Sequence, residues 1–380
     1  MSNIKRYILA ICLNIFKAHL KVIYFFIKLF TTPKNKVLML SRQSNEINID
    51  FIMLKDELLK KDPNVQIQIM CKKIPKKFLK KVNYYFYIIK TMYHLATSKI
   101  CIVDGYELQV SILKHKKELV IVQIWHALGA IKKFGRQVVD KKEGSNSVVA
   151  NIMQMHKNYT FVTCASKATR KIYAEAFEIE EENIPVLGMP RIDYLLGKDN
   201  KIDAKVENLL KEYPKLNEKK NILYVPTFRK GEKTSISEII NSVNKEKYNL
   251  IIRLHPLEKT NVDNNYVIDS KYNTFELLKI ADYVITDYSA IAFEATVLNK
   301  PIFFYLYDLN KYENNRGLNV NLNEEMKLVT FDNINDIISM IEKGEYPYEE
   351  YEKFKSKYIE TIDTDNSKRI IENIKKMMKQ

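Results

Sequence analysis

Cysteine and tryptophan are scarce in this sequence of 380 residues, which has four cysteines and one tryptophan. The cysteines stand far apart in apolar stretches, and none has the CxxC or Cys/His spacing of a zinc site: Cys12, Cys71, Cys101 and Cys164. We interpret them as reduced core thiols of a cytoplasmic protein. The apolar N-terminus also lacks a small-residue cleavage site, which argues against a cleaved signal peptide.

Acidic residues are outnumbered in this chain: Asp and Glu total 46, Lys and Arg total 61, and the net charge is +15. Such an excess favours an anionic partner, namely a nucleic acid, an anionic lipid surface or a phosphorylated substrate. The sequence shows no aromatic and basic binding sheet of the RNA-binding type, so we expect no nucleic-acid partner. At about 100–200 residues per domain, the length predicts two domains.

The first thirty residues are apolar but interrupted. A membrane-spanning helix needs about 20 mostly apolar residues, and the run Tyr7 to Phe30 is broken at Lys17, His19, Lys21 and Lys28. Polar side chains recur mostly at helical spacing and form one stripe: Asn3, Arg6, Asn14, Lys17, Lys21 and Lys28. A basic stripe on a broad apolar helix is typical of an anchor lying in the membrane plane. We therefore expect residues 1–30 to be a membrane-associating amphipathic helix, with a core helix and a signal anchor as alternatives.

Short apolar and β-branched runs recur along the chain and predict the strands of two parallel sheets. They are residues 36–40, 65–70, 99–104, 119–125 and 159–164 in the first half, and 221–225, 248–254, 283–286 and 301–307 in the second, with shorter strands near 186 and at 266–269. The fold class is therefore α/β. We predict one Rossmann-like domain over residues 31–200, a second over 201–345, and a C-terminal helical segment over 346–380.

A second basic segment precedes an aromatic run. Residues 72–81 contain six lysines, and residues 84–87 read Tyr-Tyr-Phe-Tyr. Basic residues beside aromatic ones suit a lipid headgroup interface or a nucleic-acid backbone. A solvated helix face explains the same pattern.

Polar side chains follow three predicted strands of the second half. They are Thr227 and Arg229, then Arg253 and His255, then Asp287 and Ser289, with Glu294 in the helix that follows. Successive right-handed crossovers bring the carboxyl ends of parallel strands to one edge, so these side chains are expected to converge. Arg, Ser, Thr and a helix start suit phosphate oxygens, and Glu294 is placed to reach a ribose. A merely capped helix is the alternative for the Asp287–Ser289 turn.

A histidine ends a strand of the first half. His126 follows Trp125 and precedes the Gly129 turn, with Lys132, Lys133 and Arg136 shortly after. A strand-end histidine is well placed for acid–base catalysis because its pKa lies near neutrality. The nearby cations would keep it neutral and favour a phosphate. Arg191 and Asp193 lie in a later loop of the same predicted domain.

Taken together and in this order, five segments resemble the CDP-glycerol glycerophosphotransferase family of Gram-positive teichoic acid synthesis. They are QIWHALG (123–129), LGMPRID (187–193), YVPTFR (224–229), LHP (254–256) and DYVITDYSAIAFEATVLNKPIFFY (282–305). The resemblance implies a glycosyltransferase-B-like pair of Rossmann-like domains with the active site in the cleft. It also implies peripheral attachment to the cytoplasmic face of the cell membrane.

The resemblance implies roles for individual residues. His126 matches the base towards the acceptor hydroxyl, and His255 matches a second essential histidine near the donor pyrophosphate. Donor phosphate or nucleotide contacts are expected from Thr227, Arg229, Arg253, Asp287, Ser289 and Glu294, and acceptor-side contacts from Trp125, Lys132, Arg191 and Asp193. Ala290 stands where the family has a second serine, so the contact of that hydroxyl is missing.

The resemblance thus implies transfer of glycerol phosphate, or a related alditol phosphate, from CDP-glycerol or CDP-ribitol to a hydroxyl of an undecaprenyl-diphosphate-linked acceptor, with release of CMP. The anionic membrane surface is the expected second partner, and the chain length favours a primase over a polymerase. No DxD motif ends a strand, so we expect neither a metal nor another cofactor, although Asp287 and Glu294 are an alternative metal pair. A nucleotide-sugar glycosyltransferase of the same fold and a basic, non-enzymatic membrane or nucleic-acid binding protein are the competing hypotheses.

Overall fold

The computed structural model describes residues 3–229, 235–254, 262–268 and 270–379. The strands in these ranges are β1 (Lys36–Ser41), β2 (Gln66–Cys71), β3 (Ile100–Val103), β4 (Val120–Gln123), β5 (Phe161–Val162), β6 (Lys220–Val225), β7 (Tyr248–Ile252), β8 (Tyr283–Thr286), β9 (Ile302–Tyr305) and β10 (Thr330–Phe331).

The α-helices in the same ranges are α1 (Asn3–Leu29), α2 (Ile49–Lys61), α3 (Phe78–Thr97), α4 (Leu108–Ile112), α5 (Ser147–Ile152), α6 (Lys167–Phe177), α7 (Pro190–Leu195), α8 (Lys201–Glu212), α9 (Ile236–Ser242), α10 (Thr274–Ile280), α11 (Ile291–Val297), α12 (Leu309–Asn315), α13 (Leu322–Glu325), α14 (Ile334–Lys343), α15 (Tyr348–Tyr358) and α16 (Asn366–Met377). Short 3-10 helices lie at Gly135–Val138, Glu181–Asn183, Lys198–Asn200, Pro214–Asn217, Asn264–Tyr266 and Lys327–Val329.

Each half of the chain contains one parallel five-stranded sheet, which confirms the predicted α/β class. The first sheet has the order β2-β1-β3-β4-β5 and the second has the order β10-β9-β8-β6-β7. Counted from its own first strand, each sheet therefore has the order 2-1-3-4-5, and its order reverses between its first and third strands. Ligands of open α/β sheets bind outside the carboxyl ends of the strands at this switch point.

The chain divides into two compact units that differ from the predicted domains. Unit 1 comprises residues 1–126, 133–191 and 365–380, and unit 2 comprises residues 127–132 and 192–364. The predicted boundary near 200 falls at 191 because Arg191 is bonded to Asp50 of unit 1. The predicted separate segment 346–380 is also divided: α15 stays in unit 2, whereas α16 returns to unit 1 and buries Ile370, Ile371 and Ile374 in the core of the first sheet.

Two of the predicted short strands take another form. Near residue 186 there is only a single parallel bridge, between Cys164 and Val186. The segment predicted as strand 266–269 begins with the end of the 3-10 helix Asn264–Tyr266, and Asp269 lies outside the described residues. Both runs are too short for periodicity to distinguish a strand from a turn.

Helix starts follow ordinary capping chemistry. The Asn48 side chain accepts from the Phe51 amide at the start of α2, and Ser166 accepts from the Thr169 amide at the start of α6. Capping of this kind satisfies amides that have no partner inside the helix. It fixes where each helix leaves the carboxyl edge of its sheet.

Helix α1 lies along unit 1, and two lysines of its polar stripe bind protein carbonyls. The Lys17 ammonium donates to the Ile152 carbonyl at 2.8 Å, and Lys28 donates to the Lys114 carbonyl at 2.6 Å, while Leu20 and Tyr24 are buried. Exposed apolar side chains occur along the whole helix: Ile4, Tyr7, Ile8, Ile11, Ile15, Val22, Phe25, Phe26 and Leu29. The predicted amphipathic helix is therefore present, but Lys17 and Lys28 of the basic stripe bind protein carbonyls, and the apolar side faces out.

Helix α3 packs beside α1 and continues this surface. Its exposed apolar and aromatic side chains are Phe78, Leu79, Val82, Phe86 and Tyr93. Exposed apolar surface of this extent is unusual for a water-facing helix pair and marks an interaction surface. By length and composition alone, Ile4–Leu29 is also long and apolar enough to cross a membrane.

Candidate active site

His126 is held at the carboxyl edge of the sheet in unit 1. It follows β4 by three residues, and its imidazole is exposed. Its Nδ1 lies 2.9 Å from the carbonyl oxygen of Asp104, which follows β3. A carbonyl only accepts hydrogen bonds, so Nδ1 must carry the proton. The neutral ring therefore has its lone pair on Nε2, which is the form that a general base needs.

Trp125 sets the direction of His126. Its φ of 57° lies in the left-handed region that non-glycine residues rarely adopt. The Gln123 side-chain oxygen accepts from the Trp125 amide at 2.8 Å, and the indole stacks on Phe134 with ring centroids 4.5 Å apart. Strained backbone of this kind persists where the surroundings hold it, commonly at functional sites. Trp125 thus serves as the packed base of the turn that exposes His126.

Two buried carboxyls lie beneath this edge. Asp104 and Glu107 are almost fully buried. Burial raises the pKa of Asp104 to about 6, although hydrogen bonds from Ser41 and Asn48 lower it. Burial raises the pKa of Glu107 to about 7 against the opposing charge of Arg42. Near neutral pH these groups therefore add less negative charge to the edge than two ordinary carboxylates would.

Arg191 and Asp193, the expected acceptor-side pair, are both buried. The Arg191 backbone amide donates to Asp50 at 2.9 Å, and its guanidinium forms an ion pair with the same carboxylate. Asp193 is fully buried, with a carboxylate oxygen 3.8 Å from the Lys198 ammonium. These ion pairs join chain segments within each unit, and the acceptor-side role of Arg191 and Asp193 stays a prediction.

In unit 2 the ends of β6 and β8 meet at the switch point. Val225 pairs with Thr286, and two residues beyond Val225 the Thr227 amide donates to both oxygens of Asp287, at 2.9 and 3.0 Å. The predicted convergence of the β6 and β8 ends is thus a feature of this edge. The Asp287 carboxylate is buried and faces the protein.

Arg229 is the centre of a buried charge cluster. Its guanidinium donates to Asp287 at 2.7 Å and to Asp308 at 2.6 and 2.9 Å. Burial opposes the charged form, but hydrogen bonds to Asp308 and the charge of Asp287 outweigh it, so the pKa of Arg229 is raised. Three rings surround the group: Tyr288, Tyr307 and Tyr312. Arg229 therefore fastens the loops after β6, β8 and β9 to one another.

Lys132, which was expected as an acceptor-side contact, lies close to Thr227, which was expected as a donor contact. Its segment, residues 127–132, belongs to unit 2, and its ammonium lies 3.5 Å from the Thr227 hydroxyl. The segment is held by Asn319, whose amide donates to the Ile131 carbonyl at 2.7 Å. Gly129 is required within it, because an added Cβ would lie 2.6 Å from the Phe293 ring on α11. Lys132 and Thr227 together form a cationic and hydroxylic position at the β6 end.

The remaining expected donor contacts are placed as follows. The Ser289 hydroxyl is half-buried, 3.4 Å from the Ile291 amide at the start of α11, and Glu294 is buried within that helix. Arg253 follows β7 and donates to the Tyr272 carbonyl at 2.5 Å. His255, expected as the second essential histidine, lies outside the described residues.

Sequence reasoning missed Arg42, Asp104, Glu107 and Asp308. Arg42 and Asp104 directly follow β1 and β3, and Asp308 comes three residues after β9. The same strand-end argument that singled out Thr227 and Asp287 would have found them. In the part of the chain that the structure describes, no group of three or more His, Cys, Asp or Glu side chains is arranged to hold a metal ion.

Curated relatives share most of this chain. The teichoic acid glycerol-phosphate primase of Bacillus subtilis (strain 168) is 30% identical over 394 residues, which cover 95% of this chain and 97% of the relative. The teichoic acid ribitol-phosphate primase of Bacillus spizizenii is 32% identical over 297 residues, covering 75% and 76%. The poly(ribitol-phosphate) polymerase of the same organism is 30% identical, and the match covers 91% of this chain but 57% of that longer protein.

Solved structures agree in fold. The wall teichoic acid polymerase TagF superposes with a TM-score of 0.73 at 19% identity, covering 99% of this chain and 97% of that one. UDP-GlcNAc 2-epimerase from Neisseria meningitidis superposes with a TM-score of 0.57 at 16% identity, covering 90% of this chain. The model of the CDP-glycerol:poly(glycerophosphate) glycerophosphotransferase family matches residues 23–376. The chain therefore belongs to the CDP-glycerol:poly(glycerophosphate) glycerophosphotransferase family, as the five sequence segments predicted.

Proposed function

We propose that this protein transfers glycerol phosphate or ribitol phosphate from the CDP-alditol to a hydroxyl of a lipid-linked acceptor in teichoic acid synthesis and releases CMP. The observation that carries the proposal is the exposed His126, whose Nδ1–H is committed to the Asp104 carbonyl. Family membership and the primase relatives support the CDP-alditol as donor.

In the proposed reaction, Nε2 of His126 takes the proton of the acceptor hydroxyl. The hydroxyl oxygen attacks the β-phosphorus, the bond between that phosphorus and the bridging oxygen breaks, and CMP leaves with the bridging oxygen. Charge spreads over the phosphoryl oxygens in the transition state, so positioning and electrostatic stabilisation supply most of the catalysis.

We assign the donor phosphates to the cationic and hydroxylic groups at the edge of unit 2. Lys132 and Thr227 are the best supported, since their side chains meet at the end of β6. Arg253, Ser289 and His255 remain assigned as the sequence indicated, with Glu294 towards the nucleoside. Arg229 and Asp287 act indirectly in this scheme, because each is already bonded to the other and to neighbouring loops.

We propose that the protein attaches to the cytoplasmic face of the membrane through the outward surfaces of α1 and α3. The apolar face of α1 extends from Ile4 to Leu29, while the opposite side of the helix packs on unit 1. A helix held along its length in this way lies in the membrane plane with its apolar face in the headgroup–acyl boundary. The exposed lysines of residues 73–81 beside it suit anionic headgroups.

The experiment that tests the donor is CMP release from CDP-glycerol and from CDP-ribitol, each with and without a lipid-linked disaccharide acceptor. Acceptor-dependent CMP from either donor supports the proposal, and competition between the donors decides which alditol is used. Product length then distinguishes a primase from a polymerase. Release of a nucleoside diphosphate from a nucleotide sugar, with no CMP from either alditol donor, would favour a glycosyltransferase instead.

A further inference from the structure

Unit 1 has a cationic position of its own at the carboxyl ends of β1 and β2. Arg42 directly follows β1 and Lys72 directly follows β2, and these strands end in register, with Ser41 opposite Cys71. The Lys72 amide donates to the Ser41 carbonyl at 2.9 Å, and the Lys73 amide donates to the Asn45 side chain at 2.9 Å. The two loops are thus tied together, and both cations sit at the edge of the sheet that also carries His126.

Each of the two cations rests on an aromatic ring. The Arg42 guanidinium lies 4.7 Å from the Tyr106 ring centroid, and the Lys72 ammonium lies 5.0 Å from that of Tyr87. Among the described residues, neither charged group donates a hydrogen bond or forms an ion pair. Ring stacking orients a cation but leaves its N–H donors unused. Both groups are therefore oriented and still able to bind an anion.

Tyrosine hydroxyls and a weakened carboxylate complete the position. The rings of Tyr84 and Tyr87 of α3 pack in a tilted arrangement with centroids 5.4 Å apart, and the charges of Glu107 and Arg42 both act on Tyr84. The charge of Arg42 acts on the buried acid Glu107; burial raises the pKa of Glu107 to about 7, so near neutral pH it only partly offsets Arg42. The balance of charge at this position is positive.

The cluster lies between the membrane-facing surface and His126. Tyr84 and Tyr87 are half-buried on the inner side of α3, whereas Phe78, Leu79, Val82 and Phe86 of the same helix are exposed. In the other direction, Arg42 stacks on Tyr106, which is two residues from the Asp104 carbonyl that orients His126. The exposed apolar side of α3, the cationic cluster and His126 thus follow one another. A ligand with a lipid tail, an anionic group and a distal hydroxyl would contact them in that order.

We propose that Arg42 and Lys72, with the hydroxyls of Tyr84 and Tyr87, bind the diphosphate of the lipid-linked acceptor. This inference rests on the proposed function. Anchoring the diphosphate here holds the tail at the membrane and presents the distal sugar hydroxyl to His126. The donor site of unit 2 does not contribute to this diphosphate site. Substitutions at Arg42 or Lys72 should therefore change the affinity for the acceptor and leave the affinity for the donor unchanged.

The test uses Arg42→Gln and Lys72→Gln, with Lys55→Gln as a matched control, because Lys55 is an exposed lysine of α2 that lies outside the proposed membrane and acceptor surfaces. Loss of one charged hydrogen-bond donor predicts that the acceptor KM rises by about 10- to 100-fold, with the KM for the CDP-alditol unchanged. Lys55→Gln should leave both constants unchanged. An unchanged acceptor KM in Arg42→Gln and Lys72→Gln would overturn the proposal.

A binding measurement without donor separates this inference from the proposed reaction. Titration of a short-chain prenyl-diphosphate disaccharide in detergent should show about tenfold weaker binding for Arg42→Gln than for the wild type. An acceptor analogue with a neutral linker in place of the diphosphate should bind both proteins equally weakly. Equal binding of the diphosphate to wild type and Arg42→Gln would overturn the inference even if CMP release succeeds, and weaker binding would support it even if CMP release fails.

A phospholipid headgroup is the other source of the same chemistry. Binding to vesicles of phosphatidylglycerol and phosphatidylcholine should be the same for wild type and Arg42→Gln. If Arg42→Gln instead lost vesicle binding while keeping its affinity for the short-chain acceptor, the site would belong to the membrane surface, and the acceptor assignment would be wrong.

Discussion

The buried cluster around Arg229 gives a stability prediction that depends on one carboxylate. Asp308→Asn keeps the size of the side chain and removes the charge that binds Arg229 at 2.6 and 2.9 Å. Tyr288 also donates to Asp308, at 3.1 Å. Removing one partner of a buried ion pair costs about 3–5 kcal/mol. Asp287 continues to neutralise Arg229, so we expect the lower end, about 3 kcal/mol.

The assay is hydrogen exchange of the peptide covering residues 220–229, because the two units need not unfold together and a single melting temperature would mix them. A loss of about 3 kcal/mol predicts exchange about a hundredfold faster in this peptide, with the β1 peptide of unit 1 unchanged. Glu349→Gln is the matched control, since it removes an acid from the exposed Lys353–Glu349 pair and should change neither peptide. Unchanged exchange in residues 220–229 of Asp308→Asn would refute the view that Arg229 fastens these loops.

Three further predictions concern the membrane surface, the buried acid and the glycine turn. Ile15→Ser with Phe25→Ser should abolish binding to anionic vesicles without unfolding, because both side chains point outward; vesicle binding by a folded double variant would place the anchor elsewhere. Glu107 has a pKa of about 7 against an ordinary value of 4.5, so its contribution to stability is complete below pH 4.5 and is lost as the pH rises through 7. Glu107→Gln should flatten the fall in unit 1 stability over that window in hydrogen exchange, and an unaltered pH profile would show that Glu107 is not the group responsible. Gly129→Ala should lower the stability of unit 2 by about 1–3 kcal/mol, because its Cβ meets the Phe293 ring; a Phe293→Leu background should relieve that loss, and failure to do so would exclude this contact as the cause.

The sequence predicted the parts of the fold that depend on local pattern. Strands β1 to β9 follow apolar runs of the sequence, whereas β10 was not predicted. Parallel pairing then brings Thr227 and Asp287 together at one edge. Composition likewise predicted the helix after Ser289, which the structure has as α11. These features could be predicted because each depends on local sequence pattern or on neighbouring strands of one sheet.

What escaped prediction depends on contacts between distant residues. Periodicity revealed the polar stripe of α1 but not which side packs on the protein, since that is decided by acceptors such as the Ile152 carbonyl. The return of α16 to unit 1 depends on space for Ile370 in a remote core. Arg229 resembled a phosphate ligand because its second carboxylate, Asp308, lies 79 residues away in the sequence.

The role of His126 as the base can be tested in a single-turnover measurement with His126→Ala. With bound CDP-alditol and saturating acceptor, we expect a loss of about 10²- to 10⁴-fold in the rate of CMP formation, because proton transfer from the acceptor hydroxyl is removed. Donor affinity should be unchanged, and His19→Ala, which removes an exposed histidine of α1, should react at the wild-type rate with a detergent-soluble acceptor. A rate for His126→Ala close to that of the wild type would show that His126 is not the base, and the orientation of the imidazole by Asp104 would then have no role in the reaction.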